Sequence, residues 1–150
     1  NGVAKLMDSL TADSVSLYPP PFHATRSAIS YQQIWSSTDF SIAIFVLPAG
    51  TVIPLHDHPG MTVLSKLLYG KMRVTSYDVP AHASIVRPSL FGITAKRRLR
   101  CNLPRHEVVA AETSTLMLDP VYGNIHQFEA INDTAVFDVL LPPYNDREGR

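Results

Sequence analysis

Met61-Thr62-Val63-Leu64-Ser65-Lys66-Leu67-Leu68-Tyr69-Gly70-Lys71-Met72-Arg73-Val74-Thr75-Ser76-Tyr77 reads as two β-strands separated by one glycine. Both arms are short and rich in β-branched and aromatic residues, and Gly70 sits where a tight hairpin needs a residue free to adopt positive φ. Outward from this stretch the same pattern recurs. Residues 40–47, 107–111, 115–118, 125–131 and 134–141 are further strand candidates, bounded by Gly, Pro, Asn or Asp, and Asn132-Asp133 marks a second tight turn. Ile42-Ala43-Ile44-Phe45-Val46-Leu47 is apolar on both faces, as befits a strand between two layers or inside a barrel. Many short strands joined by short turns make an all-β domain: a sandwich, a jelly roll or a barrel. The 12 prolines in 150 residues exceed the usual share of about 5% and sit mostly at strand borders, where a missing N–H is harmless.

Before residue 30 the period changes. Val3, Leu6, Met7 and Leu10 fall on one helical face, which predicts a short amphipathic helix ending near Thr11 to Ser14. Tyr18-Pro19-Pro20-Pro21 then forms a connector that cannot be helix interior. Residues 1–150 are therefore expected to be one domain, with helix and connector occupying 1–30. The strand pattern fades between Asp78 and Arg105. There Lys96-Arg97-Arg98-Leu99-Arg100-Cys101 reads as a solvated basic loop, with a cationic lip for an acidic partner as the functional alternative.

Composition excludes several classes. The 13 basic and 13 acidic residues cancel, so no global charge points to nucleic acid or an anionic membrane. No apolar run approaches the ~18 residues of a membrane span. Asn1-Gly2-Val3-Ala4-Lys5-Leu6 lacks a signal-peptide core, and the first residue is not Met, so the natural N-terminus is expected to lie further upstream. Cys101, the single cysteine, excludes an internal disulfide, suits a reducing compartment and reads as an inert thiol. Balanced charge and the absence of a heptad seam make a monomer the expectation.

Chemistry concentrates in Ile53-Pro54-Leu55-His56-Asp57-His58-Pro59-Gly60-Met61. On a strand, residues i and i+2 share a face, so His56 and His58 project side by side and Asp57 points away. Two such imidazoles can chelate Fe, Zn, Cu or Ni, although two surface histidines on a strand edge give the same pattern. Tyr122-Gly123-Asn124-Ile125-His126-Gln127-Phe128 is a turn followed by an alternating strand, and a barrel can bring His126 beside the first pair. Three neutral imidazoles leave coordination positions open, as catalysis requires. His23, His82 and His106 read as surface residues. Asp138, inside the apolar run 135–141, needs a partner. Either it takes the second ring N–H of a ligand imidazole, or it bonds only backbone or Arg. Tyr144 follows the stiff Pro142-Pro143 turn and either reaches the barrel mouth or simply packs.

The string 53–62, followed by Ser65-Lys66-Leu67-Leu68-Tyr69-Gly70, resembles the plant cysteine oxidases, which group with animal cysteamine (2-aminoethanethiol) dioxygenase. Gly123-Asn124-Ile125-His126, Asp138-Val139-Leu140 and Pro142-Pro143-Tyr144 match too, so the likeness runs from about Tyr31 to Arg150, weakest at 78–105. The resemblance implies a cupin fold, that is, a jelly-roll barrel. It implies one Fe(II) held by His56, His58 and His126, with Asp138 and Tyr144 as active-site residues outside the ligand set. It implies oxidation of a cysteine-type thiol by O2 to the sulfinic acid. In the family's plant members the substrates are N-terminal cysteines of hypoxia-responsive transcription factors in an oxygen-sensing N-degron pathway, which implies the cytoplasm or nucleus. The alternatives are a dioxygenase of cysteamine or free cysteine, a cupin using another metal, and a ligand-binding cupin. Family members usually continue past Glu148-Gly149-Arg150, so a further C-terminal segment is expected.

Overall fold

The computed structural model describes residues 2–17, 28–79 and 101–145. Helix α1 (Gly2–Asp8) and a 3₁₀ turn (Asp13–Val15) precede β1 (Ser30–Ser36), β2 (Ser41–Leu47), β3 (Val52–His56), β4 (Thr62–Tyr69) and β5 (Lys71–Tyr77). The remaining strands are β6 (Arg105–Ala110), β7 (Leu116–Leu118), β8 (Ile125–Ala130) and β9 (Thr134–Leu141). They form two antiparallel sheets, ordered β1-β2-β9-β4-β7 and β3-β8-β5-β6. The Tyr18–Pro21 connector, His23, His82, the basic run 96–100 and the terminal residues 146–150 lie outside the described residues.

The doubly apolar strands are explained by layers. On β9, Phe137 and Val139 face outward and pack with Ile44, Leu64, Leu68 and Met7 of α1. Val136 faces inward with Leu47, Leu67, Met72 and Phe128. Each such side chain, fully buried, is worth about 1.5–3 kcal/mol. The helix is shorter than its period predicts, and its buried face differs. Met7 is 3% exposed, but Leu6 is 72% exposed and Val3 44%. Seven residues give α1 only two turns, so the face that reaches the sheet is carried by Met7, with Ala4 and Leu10 packed beside it.

Gly70 and Asn132-Asp133 do not close hairpins, contrary to the sequence expectation. β4 is paired on both sides, by β9 and β7, while β5 belongs to the facing sheet between β8 and β6. Gly70 is therefore a corner where the chain crosses between sheets, as is Asn132-Asp133 between β8 and β9. The two corners are stitched together. Lys71 N–H donates to Asn132 Oδ1 at 2.7 Å, and Thr134 Oγ1 donates to the Lys71 carbonyl at 3.0 Å. Gly70 has φ +87°, and a Cβ there would collide with the Asp133 carbonyl oxygen and Thr134.

Two strands escaped the sequence pattern. Every residue of β1 is exposed, so no burial alternation marks it. β3 contains Pro54, and its pairing with β8 skips between Ile53 and His56.

Candidate metal centre

His56 ends β3 directly opposite His126 on β8. The β8 alternation turns His126 inward with Phe128 and Ala130, and all three are at most 5% exposed. His58 arrives differently from the i, i+2 strand argument, because β3 stops at His56. Its backbone is gripped by the Asn124 side chain: His58 N–H donates to Oδ1 at 3.2 Å, and Asn124 Nδ2 donates to the His58 carbonyl at 2.8 Å. Met61 N–H donates to the same carbonyl at 3.1 Å, across a turn in which Gly60 has φ +68°. The three rings converge, with centroids 4.4–5.0 Å apart. One nitrogen from each lies within 4.8 Å of the others.

The second ring nitrogens are already engaged. His56 Nδ1–H donates to the Pro54 carbonyl at 2.8 Å, and His126 Nδ1–H to the Gly123 carbonyl at 3.3 Å. His58 Nδ1 lies 2.7 Å from Tyr144 Oη, whose own proton goes to the Asp57 carbonyl at 3.3 Å. These bonds set each tautomer and leave the Nε2 lone pairs facing one another. Burial, then the neighbouring His56, depresses His58 to about 4 and His126 to about 3. Both are therefore neutral at physiological pH, the state a metal ligand needs. The donor set fits a mononuclear site with open coordination positions and suits iron, zinc, copper or nickel.

Asp138 is not among the Nδ1 partners. It faces the barrel interior between Val136 and Leu140, opposite Ser65 of β4 and Ala43 of β2. Ser65 hydrogen-bonds the carboxyl group, but Oδ1 has no partner among the described residues. Burial pushes Asp138 up to about 7. Tyr144, 51% exposed, holds His58 from the rim of the barrel. Burial, reinforced by the Asp57 and Asp138 carboxylates, raises its phenol to about 12, so it keeps its proton. His106 is exposed and meets Thr75, away from the triad.

Two cavities reach the centre. One of about 740 Å³ meets the triad at His56 and is otherwise lined by Leu55, Asp57, Pro59, Tyr77, Ile125 and Cys101. The other, about 240 Å³, lies between the sheets and reaches His126 past Ser65, Ser76, Arg105 and Glu107. Arg105 is committed elsewhere: it forms a two-pronged bond to Asp78 at 2.5 and 2.9 Å and stacks 4.2 Å over Tyr122. Sequence reasoning missed Asn124, Asp78 and Arg105. Asn124 read as a turn residue, and no local signal links Asp78 to the site.

A family model described as PCO_ADO matches residues 6–150. The chain belongs to this family. Its PCO_ADO relatives include plant cysteine oxidase 2 of Arabidopsis thaliana, 43% identical over 97% of this chain and 52% of that protein. Plant cysteine oxidase 1 of the same plant is 36% identical over 97% and 50%. The 2-aminoethanethiol dioxygenase of Mus musculus is 33% identical over 88% and 56%. The chain thus spans about half the length of the curated relatives it matches. Its fold is also that of an RmlC-like cupin from Shewanella frigidimarina (13% identity, 83% of this chain and 85% of that chain, TM-score 0.54). A cupin superfamily protein from Desulfitobacterium hafniense is similar as well (14% identity, 84% and 92%, TM-score 0.53). The cupin architecture expected from the sequence is the one observed.

Proposed function

We propose that this domain is an Fe(II)- and O2-dependent thiol dioxygenase that converts the N-terminal cysteine of a peptide or protein to cysteine sulfinic acid, and that it serves oxygen sensing through an N-degron pathway. The observation that carries the reading is the convergence of three imidazoles, two of them buried and neutral, at one mouth of a barrel of the PCO_ADO family. His56, His58 and His126 would hold the iron through Nε2. Bound there, iron supplies the redox chemistry that adds both oxygen atoms of O2 to the thiol sulfur.

The chain's own residues have distinct tasks. Tyr144 receives the His58 Nδ1 proton in a hydrogen bond and, by donating to the Asp57 carbonyl, fixes the ring's orientation. Asp138 is fully buried, with its carboxyl pushed up to about 7, and it acts electrostatically on the Tyr144 phenol beside His58.

Substrate choice follows from charge. A free amino acid brings a carboxylate, for which a two-pronged Arg is the expected clamp. Among the described residues, Arg105 is bound to Asp78 and Arg73 to Glu129. A peptide, whose first carboxyl is already an amide, loses nothing without a clamp. This reading requires a compartment that keeps thiols reduced, the cytoplasm or nucleus. Oxygen-uptake kinetics test it: kcat/KM for a Cys-initiated peptide should exceed that for free cysteine by about tenfold or more. Faster oxidation of free cysteine or cysteamine would assign the domain to small-thiol metabolism instead.

A further inference from the structure

Asn124 is 4% exposed, and each polar group of its side chain is bonded. Oδ1 accepts from His58 N–H at 3.2 Å, while Nδ2 donates to the His58 carbonyl at 2.8 Å and the Asp119 carbonyl at 3.1 Å. One side-chain amide thus pairs with both backbone groups of a residue 66 positions away, as a neighbouring strand would. It does so just where β3 has ended and no ladder remains to hold His58. The preceding residue, Gly123, accepts the His126 Nδ1–H bond at 3.3 Å. Gly123 N–H in turn donates to Asp78 Oδ1 at 2.7 Å, and Arg105 grips the same carboxylate.

We propose that Asn124 is a positioning residue that sets the distance between His58 and His126, with the Asp78–Arg105 pair anchoring its turn from behind. The inference rests on the reading that the three histidines hold one metal ion. The position calls for an amide, because it needs one acceptor and two donors on adjacent atoms. An Asp carboxylate offers no donor, and Leu offers neither donor nor acceptor. Tyr144 restrains only the His58 ring and the Asp57 carbonyl, so the His58 peptide itself depends on Asn124 and the Met61 turn bond. Loss of Asn124 frees residues 57–60 to drift, and the ligand set then fits the ion less well.

The test is anaerobic titration of metal-free protein with Co(II), whose visible bands report ligand geometry. It compares wild type, Asn124→Ala, Asp78→Ala and, as a control, Arg73→Ala, which breaks the exposed Arg73–Glu129 bridge on the same sheet. Thermal unfolding of each metal-free variant fixes a temperature at which it is folded. Asn124→Ala should weaken Co(II) binding by about 10–100-fold and shift the bands. Asp78→Ala should weaken it several-fold, and Arg73→Ala should leave affinity and spectrum unchanged. A lower melting temperature with wild-type affinity and spectrum in Asn124→Ala would overturn the proposal. If that variant does not fold, wild-type affinity and spectrum in Asp78→Ala overturn it equally. Wild-type protein that binds no Co(II) overturns the three-histidine reading and this inference with it; binding by wild type with unaltered variants overturns this inference alone.

Discussion

His126 shows how much a single side chain contributes at this site. It is 3% exposed, its Nδ1 is tied to Gly123, and it faces His56 across a strand pair. His126→Ala should abolish iron retention and oxygen uptake while leaving the barrel folded. Metal analysis of the purified variant checks this, and full iron content with full rate would refute the ligand assignment. Asp138 gives a prediction in two parts. Asp138→Asn should keep the fold and lower turnover by roughly 10–100-fold. It should also change how stability depends on pH in the metal-free protein. The native carboxyl titrates near 7 against 3.8 in the unfolded chain. Between those values the unfolded chain releases its proton and the native protein keeps it, so Asp138 lowers stability as pH rises toward 7. Asn cannot ionise, and His58 and His126 are common to both proteins. The variant's stability relative to wild type should therefore rise from about pH 4 to about pH 8, as read by denaturant unfolding. A difference independent of pH would contradict the buried-carboxyl assignment. At this scale the sequence drew attention to the three histidines through the H-x-H spacing and the turn before His126, and to Asp138 through its apolar run, while the role of Tyr144 came from the family resemblance. It could not reveal which groups hold the ring N–H atoms, since two of these are backbone carbonyls that any residue could supply.

Among the elements, corners carry more information than strands. Gly70 read correctly as a break and incorrectly as a hairpin, because a positive-φ glycine serves both and only the pairing partners of β4 and β5 distinguish them. Gly70→Ala should destabilise the fold by about 1–3 kcal/mol from backbone strain alone, with more from the collision with the Asp133 backbone. Chemical denaturation measures this, and wild-type stability would show that the corner can relax. The strands with alternating or continuous apolar residues, β2, β4, β5, β8 and β9, were legible because burial leaves a period. β1 and the Pro-interrupted β3 were not, the first because all its residues are exposed. His56 and His58 share a face for a reason the strand period did not contain: a turn and a side-chain amide replace the missing ladder.

Across the whole molecule, a few polar groups are set into an otherwise apolar barrel interior. Leu47, Leu67, Met72, Val74, Phe128 and Val136 form one buried cluster, and Phe128 lies 4.7 Å from the His126 ring. Ser65, Ser76 and His126 line one interior cavity together with Val74 and Phe128. The apolar clusters carry the fold's stability, and the proposed chemistry rests on the few polar groups set among them. The most direct test is mass spectrometry of a Cys-initiated peptide incubated in air with the iron-loaded domain, beside its N-acetylated twin. The free-amine peptide should gain two oxygen atoms on its cysteine and the acetylated peptide should stay unmodified, because in the proposed reaction the amine and thiol act together in binding. Equal oxidation of both peptides, or of neither, would contradict it.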